Sequence, residues 1–186
     1  FVMAETIIQV ALPELHVTWL CVTLLSVLYF IYCSEMWNQL DALTGLLNQN
    51  SYLKQTGGVR CKGGVMVVFD VDDFKQINDR YGHIQGDLCL AGIAECIKKS
   101  YANFGYCYRI GGDEFCVLLK NGGNEGRCKQ EFLQRLQEKR GEIAFLPTVS
   151  YGSAPFSGED IVKVKDRADQ DMYQYKKERK NRKRLS

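Results

Sequence analysis

RIGGDEFCVLL, residues 109–119, sets two glycines and two carboxylates between apolar stretches. The spacing reads as a β-hairpin, because consecutive residues with positive φ are cheapest as Gly-Gly. A hairpin has no need of Asp113 and Glu114 beside those glycines, and a solvated tip is the plain reading. A chemical role requires a second acidic cluster that the fold brings to the first.

Such a cluster stands at the end of VMVVFDV (65–71), a β-branched run preceded by Gly63-Gly64 and followed by acids. Asp70, Asp72 and Asp73 lie at the carboxyl end of that strand, where open α/β sheets place ligands. Facing carboxylates raise one another's pKa unless a cation neutralises them. Adjacent clusters of this kind suit Mg²⁺, with room left for phosphate oxygens. Helix N-capping is the competing role for Asp72 and Asp73, and for Asp73 it is the preferred one. The chain then turns into a helix at Asp72–Lys75, whose first turn offers free N–H groups and a positive dipole end to phosphate. Lys75 sits in that turn. Lys176 and Lys180, one turn apart on the last helix, can answer phosphate from another side, although a solvated basic tail explains them equally well. Asn78, His83 and Asp87 follow as N-x4-H-x3-D, and an amide with a carboxylate can pair with a guanine edge. His83 by itself reads as structural.

The chain holds 186 residues, enough for one domain and an appendage. Net charge is only +2, yet KKERKNRKR (176–184) sets seven basic residues against one acid, about +6 at the end. Eight cysteines occur without a CxxC pair. Cys21 and Cys33 fall in an apolar run, while Cys89, Cys96, Cys107 and Cys116 fall at core-like positions. This pattern reads as buried free thiols in a reducing compartment, not as a disulfide framework or a zinc site.

Residues 17–33 (VTWLCVTLLSVLYFIYC) carry no charge and no proline, at the short end of what spans a bilayer as a helix. No basic segment precedes them and no cleavage site follows, which disfavours a signal peptide. A transmembrane helix is expected, with Trp19, Tyr29, Tyr32 and Trp37 as an interfacial belt. Residues 1–16 read as the remnant of an upstream region, 34–43 as a linker or stalk helix, and 183–186 as a basic tail. Between them, helices at 87–101, 126–140 and 160–180 interleave with strands at 65–71 and 144–154 and with the hairpin at 106–119. That order predicts an α/β (α+β) domain with a mixed central sheet flanked by helices.

Four blocks carry a family resemblance: DALTGLLN (41–48), FDVDDFKQINDRYGHIQGD (69–87), RIGGDEF (109–115) and TVSYG (148–152), with RADQDMYQYKKERKN (167–181) as a looser fifth. Over residues 41–182 the chain resembles the GGDEF family of diguanylate cyclases. The resemblance implies a fold like the palm of polymerases and nucleotide cyclases, and condensation of two GTP into cyclic di-GMP with release of two pyrophosphates. It implies a homodimer, since joining two nucleotides needs two half-sites face to face. By position, Asp70 and Asp113 resemble ligands of Mg²⁺ (or Mn²⁺), two ions per GTP, helped by the Val71 carbonyl and Glu114. Asp113 also resembles the base for the attacking 3′-hydroxyl, with Glu114 beside it. Asn78 and Asp87 resemble guanine readers with His83 in the same pocket. Lys75, Lys176 and Lys180 resemble phosphate contacts, and Gly111 and Gly112 let the hairpin backbone approach the nucleotide.

Three departures stand out. Arg179 occupies a position where glycine is common, Lys180 one where arginine is common, and Gln49 one where arginine is frequent. The Arg-x-x-Asp motif that binds product in many relatives is missing, with Ala102 and Gly105 at its two functional positions. The expected protein is a diguanylate cyclase anchored in the inner (cytoplasmic) membrane, its catalytic domain in the cytoplasm. The alternative is a catalytically silent domain that binds GTP or cyclic di-GMP as a regulator. Residues 176–184 lack the interleaved aromatics of a nucleic-acid binder, and no nucleic-acid partner is expected.

Overall fold

The computed structural model describes residues 13–37, 39–57, 63–120 and 122–185, with side chains described for 20–34, 39–57, 63–120, 122–179 and 181. The segment 1–12, the side chains of the belt residues Trp19 and Trp37, the Lys180 side chain and the tail side chains lie outside that description. The chain divides into two units, Phe1–Gln39 and Leu40–Ser186.

In the first unit the described residues include one helix, α1 (Pro13–Trp37). Its described side chains from Leu20 to Tyr32 are all exposed, Leu25 by 66% and Phe30 by 72%. Among the described residues, no helix is long and apolar enough to cross a membrane. The expected transmembrane helix is therefore not carried by the described residues.

The expected stalk helix over 34–43 also needs correction, because α1 ends at Trp37. Turn chemistry takes over at Asp41, whose carboxylate accepts from the Thr44 N–H (2.9 Å) and hydroxyl (2.6 Å). Gly45 follows with φ +64°, and the Asp41 N–H reaches back to the Leu46 carbonyl. An Asp side chain that bonds its own backbone competes with helix continuation.

The second unit contains α2 (Gln49–Thr56), β1 (Gly64–Val71), α3 (Phe74–Tyr81), α4 (His83–Tyr101), β2 (Gly105–Arg109), β3 (Glu114–Leu119), a 3₁₀ turn (Gly122–Asn124), α5 (Glu125–Glu142), β4 (Val149–Phe156) and α6 (Ile161–Leu185). The strands lie in the order β2-β3-β1-β4, and every neighbouring pair is antiparallel. The expected mixed sheet is thus an antiparallel one; the parallel pairing among the described residues is an isolated bridge from Leu47 to Tyr108. The reason is topological. Each helical crossover joins parallel strands, β1 to β2 and β3 to β4, but a strand of the other pair lies between them, as in split βαβ folds.

Helices cover both faces, which is why β1 is apolar without alternation. Val65, Val67, Phe69 and Val71 pack with Ile93, Ile97, Phe132 and Leu136 of α4 and α5. Met66 and Val68 face the other way, onto Tyr52, Val164 and Ala168 of α2 and α6. Gly152 lets α6 lie directly on β4, since an added Cβ would stand 2.2 Å from the Ala168 carbonyl oxygen. That close seat aims the far end of α6 at the end of β1 where the acids lie.

Candidate active site

Strand register brings the two acidic clusters together. Asp70 is the cross-strand partner of Glu114 on β3 and of Ser150 on β4. The Val71 N–H donates to the Asp113 carbonyl at 3.2 Å, fixing the turn against the end of β1. The turn closes through the Ile110 and Gly111 N–H groups, both donating to the Glu114 carbonyl (3.0 and 3.3 Å). Neither Gly111 nor Gly112 has a positive φ, so the expected left-handed pair is not what selects them. At Gly111 the constraint is contact, because an added Cβ would lie 3.2 Å from a Glu114 carboxylate oxygen. The Gly112 carbonyl instead accepts from Arg109 Nη2 (2.8 Å) and Nε (3.2 Å). The same guanidinium donates to Asp41 at 3.0 Å. Burial pushes the Asp41 carboxyl up, but the Thr44 hydroxyl and Arg109 outweigh it and hold the group below its ordinary value.

Asp72, expected as part of the exposed cluster or as a cap, is buried at 6% exposure. It accepts from the Thr148 hydroxyl (2.8 Å) and the Ser150 hydroxyl (2.7 Å). Arg179 Nη2 stands 2.9 Å from one of its oxygens and Lys176 Nζ 3.4 Å from the other. Burial raises its pKa, yet the two hydroxyls and then the two cations bring it below the ordinary value. Lys176 makes its closer contact with Asp70, at 2.5 Å. Burial alone would depress the Lys176 pKa, and Asp70 followed by Asp72 raises it instead. Arg179 also donates to the Val149 carbonyl at 3.2 Å and to the Thr148 hydroxyl.

Among the described residues, no group of three or more His, Cys, Asp or Glu side chains is already gathered around a cation position. The donor chemistry nonetheless fits a divalent cation of the Mg²⁺ class. Asp70, Asp113 and Glu114 supply hard oxygens at one sheet end, and the ammonium resting on Asp70 shows that the place takes positive charge.

The residues expected to read the nucleoside, Asn78, His83 and Asp87, lie on α3 and α4. Asn78 Oδ1 is buried with no hydrogen-bond partner, a costly state that a ligand donor relieves. It sits against Gly86, where an added Cβ would be 1.9 Å away. His83 opens α4 and is exposed, as are Asp87 and Lys75. Nothing in the described contacts ties Lys75 to the carboxylates. Asp73 occupies the N-cap position of α3, but in the left-handed region (φ 55°) and without a side-chain cap bond. The expected capping role is corrected accordingly: its carbonyl, not its carboxylate, accepts from the Gln76 N–H at 2.9 Å. Ala102 is exposed at the end of α4. Gly105 opens β2 where a Cβ would meet the Leu118 carbonyl at 2.2 Å.

Arg179, Thr148, Ser150 and Gly86 were not foreseen as site residues. A signal existed for the first: Asp70 and Asp72 share a strand face by their spacing of two, and Lys176 and Arg179 share a helix face by their spacing of three. Nothing in the sequence alone says that the helix covers that face.

Residues 38–182 match the family described as diguanylate cyclase, GGDEF domain. A diguanylate cyclase, DgcS, of Shewanella oneidensis is 32% identical over 154 residues, 78% of this chain and 52% of that protein. A probable diguanylate cyclase, DgcJ, of Escherichia coli (strain K12) is 30% identical over 151 residues, 76% of this chain and 30% of that protein. The chain thus spans about half or less of these relatives. Among solved structures, a microbial GGDEF domain studied with bis-(3,5)-cyclic di-GMP is 31% identical, with a TM-score of 0.58 over 75% of this chain and 93% of that one. The coiled coil and GGDEF domain of DgcB from Caulobacter crescentus, in complex with c-di-GMP, has a TM-score of 0.74 over 89% of this chain and 95% of that one. At 22% identity that likeness speaks for the fold alone. With the antiparallel sheet, the acid-bearing turn and this match over most of its length, the chain belongs to the GGDEF diguanylate cyclase domain family.

Proposed function

We propose that the domain condenses two GTP into cyclic di-GMP, releasing two pyrophosphates. The observation that carries this reading is the cross-strand placement of Asp70 opposite Glu114, with the Asp113 turn pinned to the same strand end. A divalent cation, Mg²⁺ or Mn²⁺ and two per GTP, would be held by Asp70, Asp113, Glu114 and the Val71 carbonyl, and supplies charge neutralisation for the triphosphate. Lys176, which rests on Asp70 in the structure, leaves it to contact phosphate. Lys75 and Lys180 add positive charge around the same triphosphate. Asn78 Oδ1 accepts a hydrogen bond from the guanine edge, which answers its buried, unpartnered state, and Asp87 accepts another, with His83 bordering the base. The 3′-oxygen of one nucleotide attacks the α-phosphorus of the other as pyrophosphate departs, while Asp113 takes the hydroxyl proton. Repeating the step in the opposite direction closes the ring. One domain holds one GTP, so the active species is a homodimer. Gly111 and Gly112 leave the turn without side chains where the nucleotides meet.

The exposed apolar side chains of α1 support attachment to the inner membrane with the domain in the cytoplasm, where GTP is available. Sedimentation of the full chain with vesicles, resisting carbonate, supports that part; release into the supernatant defeats it. The reaction itself is tested by incubating the purified chain with GTP and Mg²⁺ and separating the nucleotides. Cyclic di-GMP and pyrophosphate in a ratio of one to two are expected. Bound but unconverted GTP would instead make this a silent, nucleotide-binding regulator.

A further inference from the structure

Arg179 on α6 departs from the glycine that the family resemblance leads one to expect, and its side chain reaches a buried carboxylate at the end of β1. Two acids and two bases meet at the end of β1. Lys176 Nζ lies 2.5 Å from Asp70 and 3.4 Å from Asp72. Arg179 lies 2.9 Å from the other oxygen of Asp72 and is held by the Val149 carbonyl and the Thr148 hydroxyl. Asp72 is the more buried acid, its side chain 8% exposed against 20% for Asp70. A less solvated carboxylate attracts a cation more strongly. Without Arg179, the Asp72 charge would draw the Lys176 ammonium inward, away from Asp70 and the phosphate side.

We propose that Arg179 is a positioning residue: by neutralising Asp72 it leaves Lys176 free to serve the triphosphate. The inference rests on the reading of this site as a GTP site. Arg179 is turned toward β4, where it donates to the Val149 carbonyl and the Thr148 hydroxyl. Its removal does not orphan Asp72, which keeps the Thr148 and Ser150 hydroxyls.

The test uses the full chain, with GTP affinity measured by calorimetry and turnover by product formation. Arg179→Met keeps the stem and the helix; Arg179→Gln keeps hydrogen-bonding capacity without charge. Both should weaken GTP binding about three- to tenfold, the size of one partly solvated charge contact, raising KM while kcat stays nearly level. In a Lys176→Ala background the same substitutions should change affinity by less than about twofold, because their effect passes through Lys176. Unchanged affinity in both single variants, or an equal loss with Lys176 already gone, overturns the proposal. Should Arg179→Met fail to fold, Arg179→Gln decides alone, wild-type affinity in it refuting the role of charge. A chain that binds GTP without converting it defeats the proposed reaction and leaves this test intact, since affinity alone reads it.

Discussion

Asp70 and Asp72 lie two residues apart at the end of one strand, and the fold treats them oppositely. Asp72 is surrounded: two hydroxyls, one guanidinium and one ammonium reach its oxygens. Asp70 has one ammonium and, across the strand pair, another carboxylate. A carboxylate saturated by protein donors has no capacity left for a ligand, so Asp72 holds the structure together. One that faces a like charge is complete only when a cation or substrate arrives. Asn78 belongs with Asp70, its buried oxygen unpartnered. The proposed function therefore rests on groups that the protein leaves short of partners.

The largest expected effect breaks the comparison on activity. Asp113→Asn and Asp70→Asn should each lower cyclic di-GMP formation by at least about a hundredfold, because a lost metal-ligand charge removes several kcal/mol of transition-state stabilisation. Melting temperature should hardly change, since both groups lie at a partly exposed strand end. Retention of more than about a tenth of wild-type activity would remove either residue from the mechanism. Asp72→Asn should do the reverse, lowering stability by about 1–2 kcal/mol after allowance for solvent around Arg179 and Lys176. Its sign with pH follows from its depressed pKa. The charged form contributes stability above the ordinary value near 3.8, and that contribution fades as pH falls through the lower folded-state value. The gap between wild type and Asp72→Asn should be full at pH 7 and narrow below about pH 4. A gap that stays constant into acid would show that Asp72 is not held as an anion.

Much of this division was legible in the sequence. The β-branched run before Asp70 announces a strand, and RIGGDEF announces an acid-bearing turn. That the two meet could be inferred from strand ends. What sequence spacing could not convey is which of three acids in DVDD would be buried, because that depends on Thr148, Ser150 and Arg179 arriving from 76 to 107 residues away. The antiparallel sheet was missed for a similar reason: alternating helices and strands suggest parallel neighbours, and only the strand order shows that the crossovers interleave. The stalk was misread because the turn made by Asp41 with Thr44 and by Gly45 ends the helix before residue 43.

A smaller effect sharpens the likeness between Asp70 and Asn78. Gly86→Ala puts a methyl group 1.9 Å from Asn78 Oδ1 and 3.2 Å from the Phe74 ring, so the amide must turn away. GTP affinity should fall about tenfold while ATP is little affected, since a misplaced reader loses its discrimination. Asn78→Ala should show the same narrowing of preference by removing the reader outright. Unaltered selectivity in both variants would take Asn78 out of base recognition.

The smallest effect concerns the third acid of the run. Asp73 is neither saturated like Asp72 nor placed to serve the turn like Asp70; its mark is backbone, a φ of 55° where an L residue is strained. Asp tolerates that region better than alanine, and glycine better still. Asp73→Gly should therefore raise stability by about 0.5–1 kcal/mol, part of the relief being offset by the looser unfolded chain. Asp73→Ala should lower it by a similar amount, giving an order of Gly above Asp above Ala and a spread of about 2–8 °C in melting temperature. Activity supplies the second reading. If Asp73 serves only as the bend between β1 and α3, both variants keep kcat and the proportion of GTP bound, and stability alone moves. A loss of GTP turnover in Asp73→Gly, with stability improved, would place its carboxylate among the functional acids and redraw the line between the two kinds of group.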